Sequence, residues 1–504
     1  NLSAPGDAKG NRISLESSSI KSENGCIHLT FAATRPEPCT IHLEFFHDRI
    51  EQRFETTFSR RTNLVRIDNG ISGINQGSQI KASRVFDSSP SSHGLFFHEP
   101  NSSLTMRSTW FSPAPWCYPF ETGDEEWLTV SLEPNKDQLQ FSKFCTHKES
   151  EGVSFRIAYD AQPQVLDVFN SPPVVLRFKE SSPFEGIHQH SIAVVDAGKA
   201  EGKSRLQQDW WKGVMICGWH HQMEVAQNSK SARAQDLACQ NIYEEHIAKY
   251  REKDIDWDIL TIDDLWSQDY AVWYVDRNKW PDMRGFIERR HNEGRKVLLW
   301  VCTWTNGLPE DEIYTTSDSD RKFLDPLNPS YLKKLEDYMQ HMLGNGPEDL
   351  NADGIKLDFT GDHPLTGDHK CTKPLYGMDY LHAQIAAISN AARRVKPGCL
   401  LDYQIANPYF ASLHDMTRLN DYFMPPDQAL KIMGIRAKIA HAANQGGLVD
   451  MDCPDHVTYF HNMHRYGNMS LYLSNRQLDN HPEYVAAIKK GIRKFRGIMD
   501  RSVD

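Results

Sequence analysis

One short apolar run in this 504-residue chain delivers a cation and a carboxylate close together: Asp353-Gly354-Ile355-Lys356-Leu357-Asp358-Phe359. Read as a strand, its side chains alternate in direction, so Lys356 and Asp358 share one face and Ile355 and Leu357 the other. A cation beside Asp358 keeps the carboxyl ionised. Two readings follow: a buried Lys–Asp pair that only closes a barrel, or a charged nucleophile at a strand end. Similar polar groups recur along the chain. Trp219-His220-His221-Gln222, Asp263-Asp264-Leu265-Trp266, Cys302-Thr303-Trp304-Thr305-Asn306, Asp402-Tyr403-Gln404 and Arg418-Leu419-Asn420-Asp421 each close or follow a hydrophobic run. Carboxylates, tryptophans and amide or hydroxyl donors suit a sugar, whose hydroxyls accept and donate hydrogen bonds and whose apolar face takes an aromatic ring. Cleaving a glycosidic bond needs two carboxyl groups in different states, one ionised and one protonated. Asp358 fits the first, and a second acid must face it.

The elements that would position these groups are legible after Gly202, where strands alternate with helices. Strands are expected at Gly213–Trp219, Asp258–Asp263, Val297–Val301, the Asp353–Phe359 run, Leu400–Gln404, a segment ending at Arg418–Asp421, Gly447–Met451 and Met469–Leu473. Helices are expected from Ser231 to Tyr250, from Trp280-Pro281-Asp282 to Gly294, along Leu332, Leu335, Met339 and Met342, from Leu381 to Val395, and near Pro482–Met499. Eight such steps match a (β/α)₈ TIM barrel, in which strand C-termini share one rim and carry catalytic residues. A rim shared by so many polar groups favours the catalytic reading of Asp358.

Residues 1–205 read differently, as an N-terminal antiparallel β-sandwich domain ahead of a barrel spanning 206–504. Apolar residues alternate with polar ones at Ile27/Leu29/Phe31, Ile41/Leu43/Phe45, Leu128/Val130/Leu132, Val153/Phe155/Ile157 and Val174/Leu176/Phe178. No long stretch here shows helical periodicity. The Pro-rich loop Trp110-Phe111-Ser112-Pro113-Ala114-Pro115-Trp116 reads first as packing between strands, and otherwise as an aromatic wall over the neighbouring cleft.

The barrel half resembles the clan of retaining α-glycosidases, closest to the α-galactosidases and raffinose synthases of glycoside hydrolase family 36, with families 27 and 31 as relatives. The resemblance rests on Asp263-Asp264-Leu265-Trp266, on Trp280-Pro281-Asp282-Met283 ahead of His291 and Gly294, on Lys356-Leu357-Asp358 and on Arg418-Leu419-Asn420-Asp421. It implies an α-galactosidase-like hydrolase with Asp358 as nucleophile and Asp421 as general acid/base. Asp263 and Asp264 would hold hydroxyls in the −1 site, assisted by Lys356 and Arg418, with Trp219, Trp300 and Trp304 as walls. Asp402 joins the substrate-binding set and is the rival acid/base, though it falls within a strand rather than after it. The family's Gly-rich motif after the fifth strand is absent, and Asp402-Tyr403-Gln404-Ile405-Ala406-Asn407 stands in its place. Its C-terminal β-domain is not recognisable either.

Other chemistries compete. A metal hydrolase would draw on His220, His221, His363 and His369 with Asp358, but the spacing matches no zinc motif. The expectation is therefore no metal and no cofactor. A carbohydrate-binding barrel without activity, or a transglycosylase of the raffinose-synthase type, would share the same fold. A carbohydrate is the expected partner. The net charge of −11 argues against nucleic acid. No run is long enough for a membrane span and no signal peptide heads the chain, which starts at Asn1. Ten cysteines show no paired spacing, and Cys217 and Cys302 read as small buried hydrophobes. Sequons occur at Asn1, Asn101 and Asn468.

Overall fold

Short strands with both faces covered need apolar residues throughout, and the second half of the chain supplies them. In a computed structural model, eight parallel strands close into a barrel: β1 (Met215–Cys217), β2 (Ile259–Ile262), β3 (Lys296–Cys302), β4 (Gly354–Asp358), β5 (Leu400–Tyr403), β6 (Met416–Arg418), β7 (Leu448–Met451) and β8 (Asn468–Leu471). Each pairs with the next, and β8 returns to β1. The structure describes residues 2–3, 17–23, 26–33, 39–64, 66–72, 82–90, 95–100, 110–123, 125–149, 152–159, 164–203, 207–229, 232–314, 322–361, 372–373, 375, 377–422, 424–452 and 454–501. His363, His369 and the sequons at Asn1 and Asn101 lie outside them.

The (β/α)₈ expectation holds, with local differences. Trp219 opens a helix instead of ending a strand, so His220 and His221 are helical. The helix expected from Ser231 begins only at Gln240, after a 3₁₀ turn at Ala234–Leu237. Asp282 caps the helix Met283–Asn292 by accepting the Gly285 N–H, and Gly294 takes the positive φ (+75°) that ends it. Asn328 caps Pro329–Leu343 with proline at its first position. Gly377–Val395 follows β4. After β5 the crossover is only the 3₁₀ segment Pro408–Leu413, where the Pro and Asn407 cap permit a short turn. Ala429–Ala443 follows β6, and Pro482–Arg501 is the last helix.

The N-terminal half forms two antiparallel sheets, one of four strands and one of ten. They face each other through rings such as Phe120–Phe155 and Tyr118–Phe144. One expectation fails here: Pro183–Asp196 is an α-helix, capped by Ser182. It packs on the sheet and on the barrel helix Ala429–Ala443, where the Ser191 hydroxyl donates to the Ala443 carbonyl at 2.8 Å. The main hydrophobic core runs unbroken from the sheets into the barrel.

The loop Trp110–Trp116 packs as expected, with Trp110 and Trp116 buried. What it packs against is the barrel. The Ser112 N–H donates to the Gln404 carbonyl at 2.9 Å, and the Asn407 amide donates to the Ala114 carbonyl at 2.7 Å. Trp116 meets Tyr409 with ring centroids 4.7 Å apart.

Candidate active site

Alternation along β4 does what the sequence implies. Ile355 and Leu357 are fully buried on one side, and Lys356 and Asp358 turn inward. The strand is anchored at its start by Asp353, which accepts from Lys296 Nζ at 3.1 Å, His291 Nε2 at 2.7 Å and the Val297 N–H at 2.9 Å. Gly354 is required beside it, because the Leu400 carbonyl occupies the space a Cβ would need.

The pairing of charges differs from expectation. Lys356 does not bond Asp358: its Nζ donates to Asp263 Oδ2 on β2's end at 2.6 Å. Asp358 is held by Arg418, whose Nη1 donates to Oδ1 at 2.9 Å. The Phe359 N–H donates to the same oxygen at 2.9 Å, and the Trp300 indole donates to Oδ2 at 3.3 Å. Burial pushes this carboxyl up. Arg418, then Lys356, the Phe359 N–H and Trp300 outweigh burial and hold it below the ordinary aspartate range.

Arg418 is itself buried and has a carboxylate on each side of its fork. Nη2 donates to Asp421 Oδ1 at 2.9 Å, and Nε donates to Asp452 Oδ2 at 2.7 Å. The two terminal nitrogens of one guanidinium lie about 2.3 Å apart, so the bonded oxygens of Asp358 and Asp421 are within about 8 Å of each other. Asp358 keeps 17% of its side chain exposed and Asp421 keeps 44%, so the first sits deep and the second at the mouth. Backbone geometry aims these groups. Leu265, Phe359 and Asn420, which follow or precede Asp264, Asp358 and Asp421, all have left-handed φ of +64°, +56° and +67°.

Asp263 also accepts from the Cys217 thiol at 3.0 Å, so Cys217 is a hydrogen-bond donor and not just a small hydrophobe. Cys302 likewise donates to the Trp304 carbonyl at 3.2 Å. Asp264 accepts from the Tyr270 hydroxyl at 3.4 Å, and burial followed by the Asp263 charge pushes its carboxyl up to about 7. Tyr270 packs against Trp304, with centroids 4.0 Å apart. Trp304 and Trp219 are half-buried. Trp300 is buried, and its indole serves Asp358 as a donor instead of presenting a face.

Asp402 has no exposed surface, which removes it from the substrate-facing set. It lies on β5 level with Lys356, one layer below Asp358. Neither of its oxygens has a hydrogen-bond partner among the described residues, and the Asp450 carboxyl on β7 is its acidic neighbour. Burial pushes Asp402 up to about 7 and Asp450 well above its ordinary value, so the pair retains a proton. His221 stacks on His246, while His220 faces Asp455 at 3.7 Å and the Tyr472 ring at 5.7 Å. Among the described residues no group of three His, Cys, Asp or Glu side chains could hold a metal ion.

Sequence reasoning missed Asp452, Tyr270 and the direct bond from Arg418 to Asp358. Asp452 carries a legible signal, an acid one residue past a strand end. Tyr270 carries none, because it lies in a hairpin (Ser267–Asp269 with Val272–Val275) inserted after β2.

No curated protein matches the chain by sequence. Three solved structures share its fold. A GH31 family sulfoquinovosidase from E. rectale has a TM-score of 0.62 at 10% identity, covering 95% of this chain and 74% of that one. A GH31 alpha-xylosidase from a soil metagenome has a TM-score of 0.60 at 10% identity, covering 97% and 85%. A GH36 alpha-galactosidase from Geobacillus stearothermophilus has a TM-score of 0.55 at 13% identity, covering 99% and 73%. Residues 205–419, which include Asp263, Asp264, Lys356, Asp358 and Arg418, match the family model described as the glycosyl hydrolases family 31 TIM-barrel domain. The direct family match is therefore to family 31 and not to family 36, and the solved structures share the barrel fold.

Proposed function

We propose that the chain is a retaining α-glycoside hydrolase that works by double displacement, with Asp358 as nucleophile and Asp421 as general acid/base. The observation that carries this reading is the single Arg418 guanidinium bonded to both carboxylates, one deep and one at the mouth. Asp358 Oδ1 is tied by two donors at 2.9 Å, while among the described residues Oδ2 has only the longer Trp300 contact, so Oδ2 is the attacking atom. In the first step Asp421 gives its proton to the glycosidic oxygen as the bond from the anomeric carbon to that oxygen breaks. Asp358 Oδ2 forms a new bond to the anomeric carbon. Asp421, now ionised, takes a proton from water, which displaces Asp358 and releases the sugar. Two inversions leave the configuration retained.

The −1 sugar is a neutral one. Among the described residues the site presents Asp263, Asp264, Asp358 and Asp421, and its cations Lys356 and Arg418 are already bonded to carboxylates. An anionic sugar, such as the sulfonated one implied by the sulfoquinovosidase fold-mate, would meet uncompensated repulsion. Galactose enters through the family-36 fold-mate and xylose through the xylosidase fold-mate.

A panel of 4-nitrophenyl α-glycosides (galactoside, N-acetylgalactosaminide, glucoside, xyloside) tests the proposal. Turnover of at least one is expected, with the α-anomer appearing first by NMR. Asp358→Ala should lower turnover on the order of 10⁴-fold or more. A β-anomer as first product would overturn double displacement. Binding without turnover across the panel would make the chain a carbohydrate-binding barrel. Transfer to an added sugar acceptor in preference to water would make it a transglycosylase.

A further inference from the structure

The Asp421 loop is gripped from below by a buried cation that plays no part in the chemistry described so far. Arg436, on Ala429–Ala443, has no exposed surface. One of its terminal nitrogens donates to three successive carbonyls: Leu419 at 2.9 Å, Asn420 at 2.9 Å and Asp421 at 3.0 Å. Three consecutive carbonyls converge on one N–H group only where the chain curls, and the left-handed Asn420 supplies the curl. The other face of the guanidinium rests on Trp110, 3.8 Å from the ring centroid. Trp110 belongs to the N-terminal half and packs on Phe96, at a centroid distance of 5.3 Å. Its loop is fixed to the barrel by the Ser112–Gln404 and Asn407–Ala114 bonds.

We propose that Arg436 and Trp110 are positioning residues for Asp421, through which the N-terminal domain sets the placement of the acid/base. Neither touches substrate: Arg436 acts on the backbone of 419–421, and Trp110 acts on Arg436. A lysine at 436 offers no planar cation to stack on the Trp110 ring, and so loses the contact that fixes where the single donating nitrogen sits. A leucine at 110 removes the π face while keeping an apolar filler. Either change lets Asp421 drift from the leaving oxygen, which slows the first step in proportion to the leaving group's need for a proton, while the base-assisted second step slows alike for every leaving group.

The inference rests on Asp421 being the acid/base, and leaving-group dependence separates the two claims. Phenyl and 2,4-dinitrophenyl α-glycosides of the sugar found by the panel are compared on the full-length protein. The phenyl leaving group needs a proton and the dinitrophenyl one does not. Asp421→Ala should depress kcat/KM on the phenyl substrate about 10²- to 10⁴-fold while largely sparing kcat/KM on the dinitrophenyl substrate. Arg436→Lys and Trp110→Leu should show the same selectivity in kcat/KM at about 10-fold or more. Trp110→Phe should restore most of the loss. If Asp421→Ala lacks the selectivity, the acid/base reading fails. If Asp421→Ala shows it but the two positioning variants slow both substrates equally, or neither, the positioning claim fails. Should Arg436→Lys not fold, Trp110→Leu reads the same ratio.

Discussion

At the scale of residues, Arg418 decides how the charges in the barrel mouth are shared. Its fork reaches Asp358, Asp421 and Asp452 at once, which a lysine could not do. Arg418→Lys should therefore weaken the hold on Asp358. Because that carboxyl sits below its ordinary value and must be ionised to attack, losing its main partner raises its pKa. The acidic limb of the kcat/KM profile is expected to move to higher pH by about one unit, and an unmoved limb would show that Arg418 does not control the nucleophile. Asp402 offers the opposite sign. Its folded value near 7 lies above the unfolded one at ~4, so the folded state holds an extra proton between them and loses stability as pH rises across that window. Asp402→Asn removes that loss, and its melting temperature relative to the parent should rise from pH 5 to pH 8. Much of this layer was legible: alternation alone put Lys356 and Asp358 on one inward face. Which partner each takes was not, because Asp263 and Arg418 come from other strands and meet them across the barrel.

At the scale of elements, the barrel closes where β8 meets β1, and Asn468 bolts that seam. Its amide is buried and donates to the Trp211 carbonyl at 2.7 Å and the Gly213 carbonyl at 3.1 Å. The sequon there cannot carry a glycan in the folded chain. Asn468→Ala should lose about 1–3 kcal/mol, read as a lower urea midpoint, since both carbonyls would be left without this donor. Strand positions were readable from their apolar runs and turn residues, to within a residue or two at most ends. The helix Pro183–Asp196 was not, for a physical reason. Its buried face is made of Pro183, Gly186, Ile187, His190, Ser191 and Val194, a stripe too mixed in polarity to register as amphipathic. His190 is tolerated there because Glu133, held also by Arg177, accepts from it. The Ser182-Pro183 start was the cue available.

At the scale of the whole molecule, the two halves share a core and several polar bonds. Calorimetry should show one transition, and Asn407→Ala, which frees the Ala114 carbonyl, should lower it as a unit. Two separate transitions would show that the halves fold independently. The interface was only half visible in the sequence: Trp110–Trp116 read as packing, but nothing local told that its packing partner was the rim of a distant barrel. The left-handed residues at the strand ends carry one more implication, for anyone who would engineer this chain. Leu265 and Phe359 each surrender about 1–3 kcal/mol of folding free energy to hold a conformation that side chains resist. Relaxing those positions would give a hardier protein and a blunter one, so thermostabilisation belongs in the sheets and outer helices, away from this ring of bent strand ends.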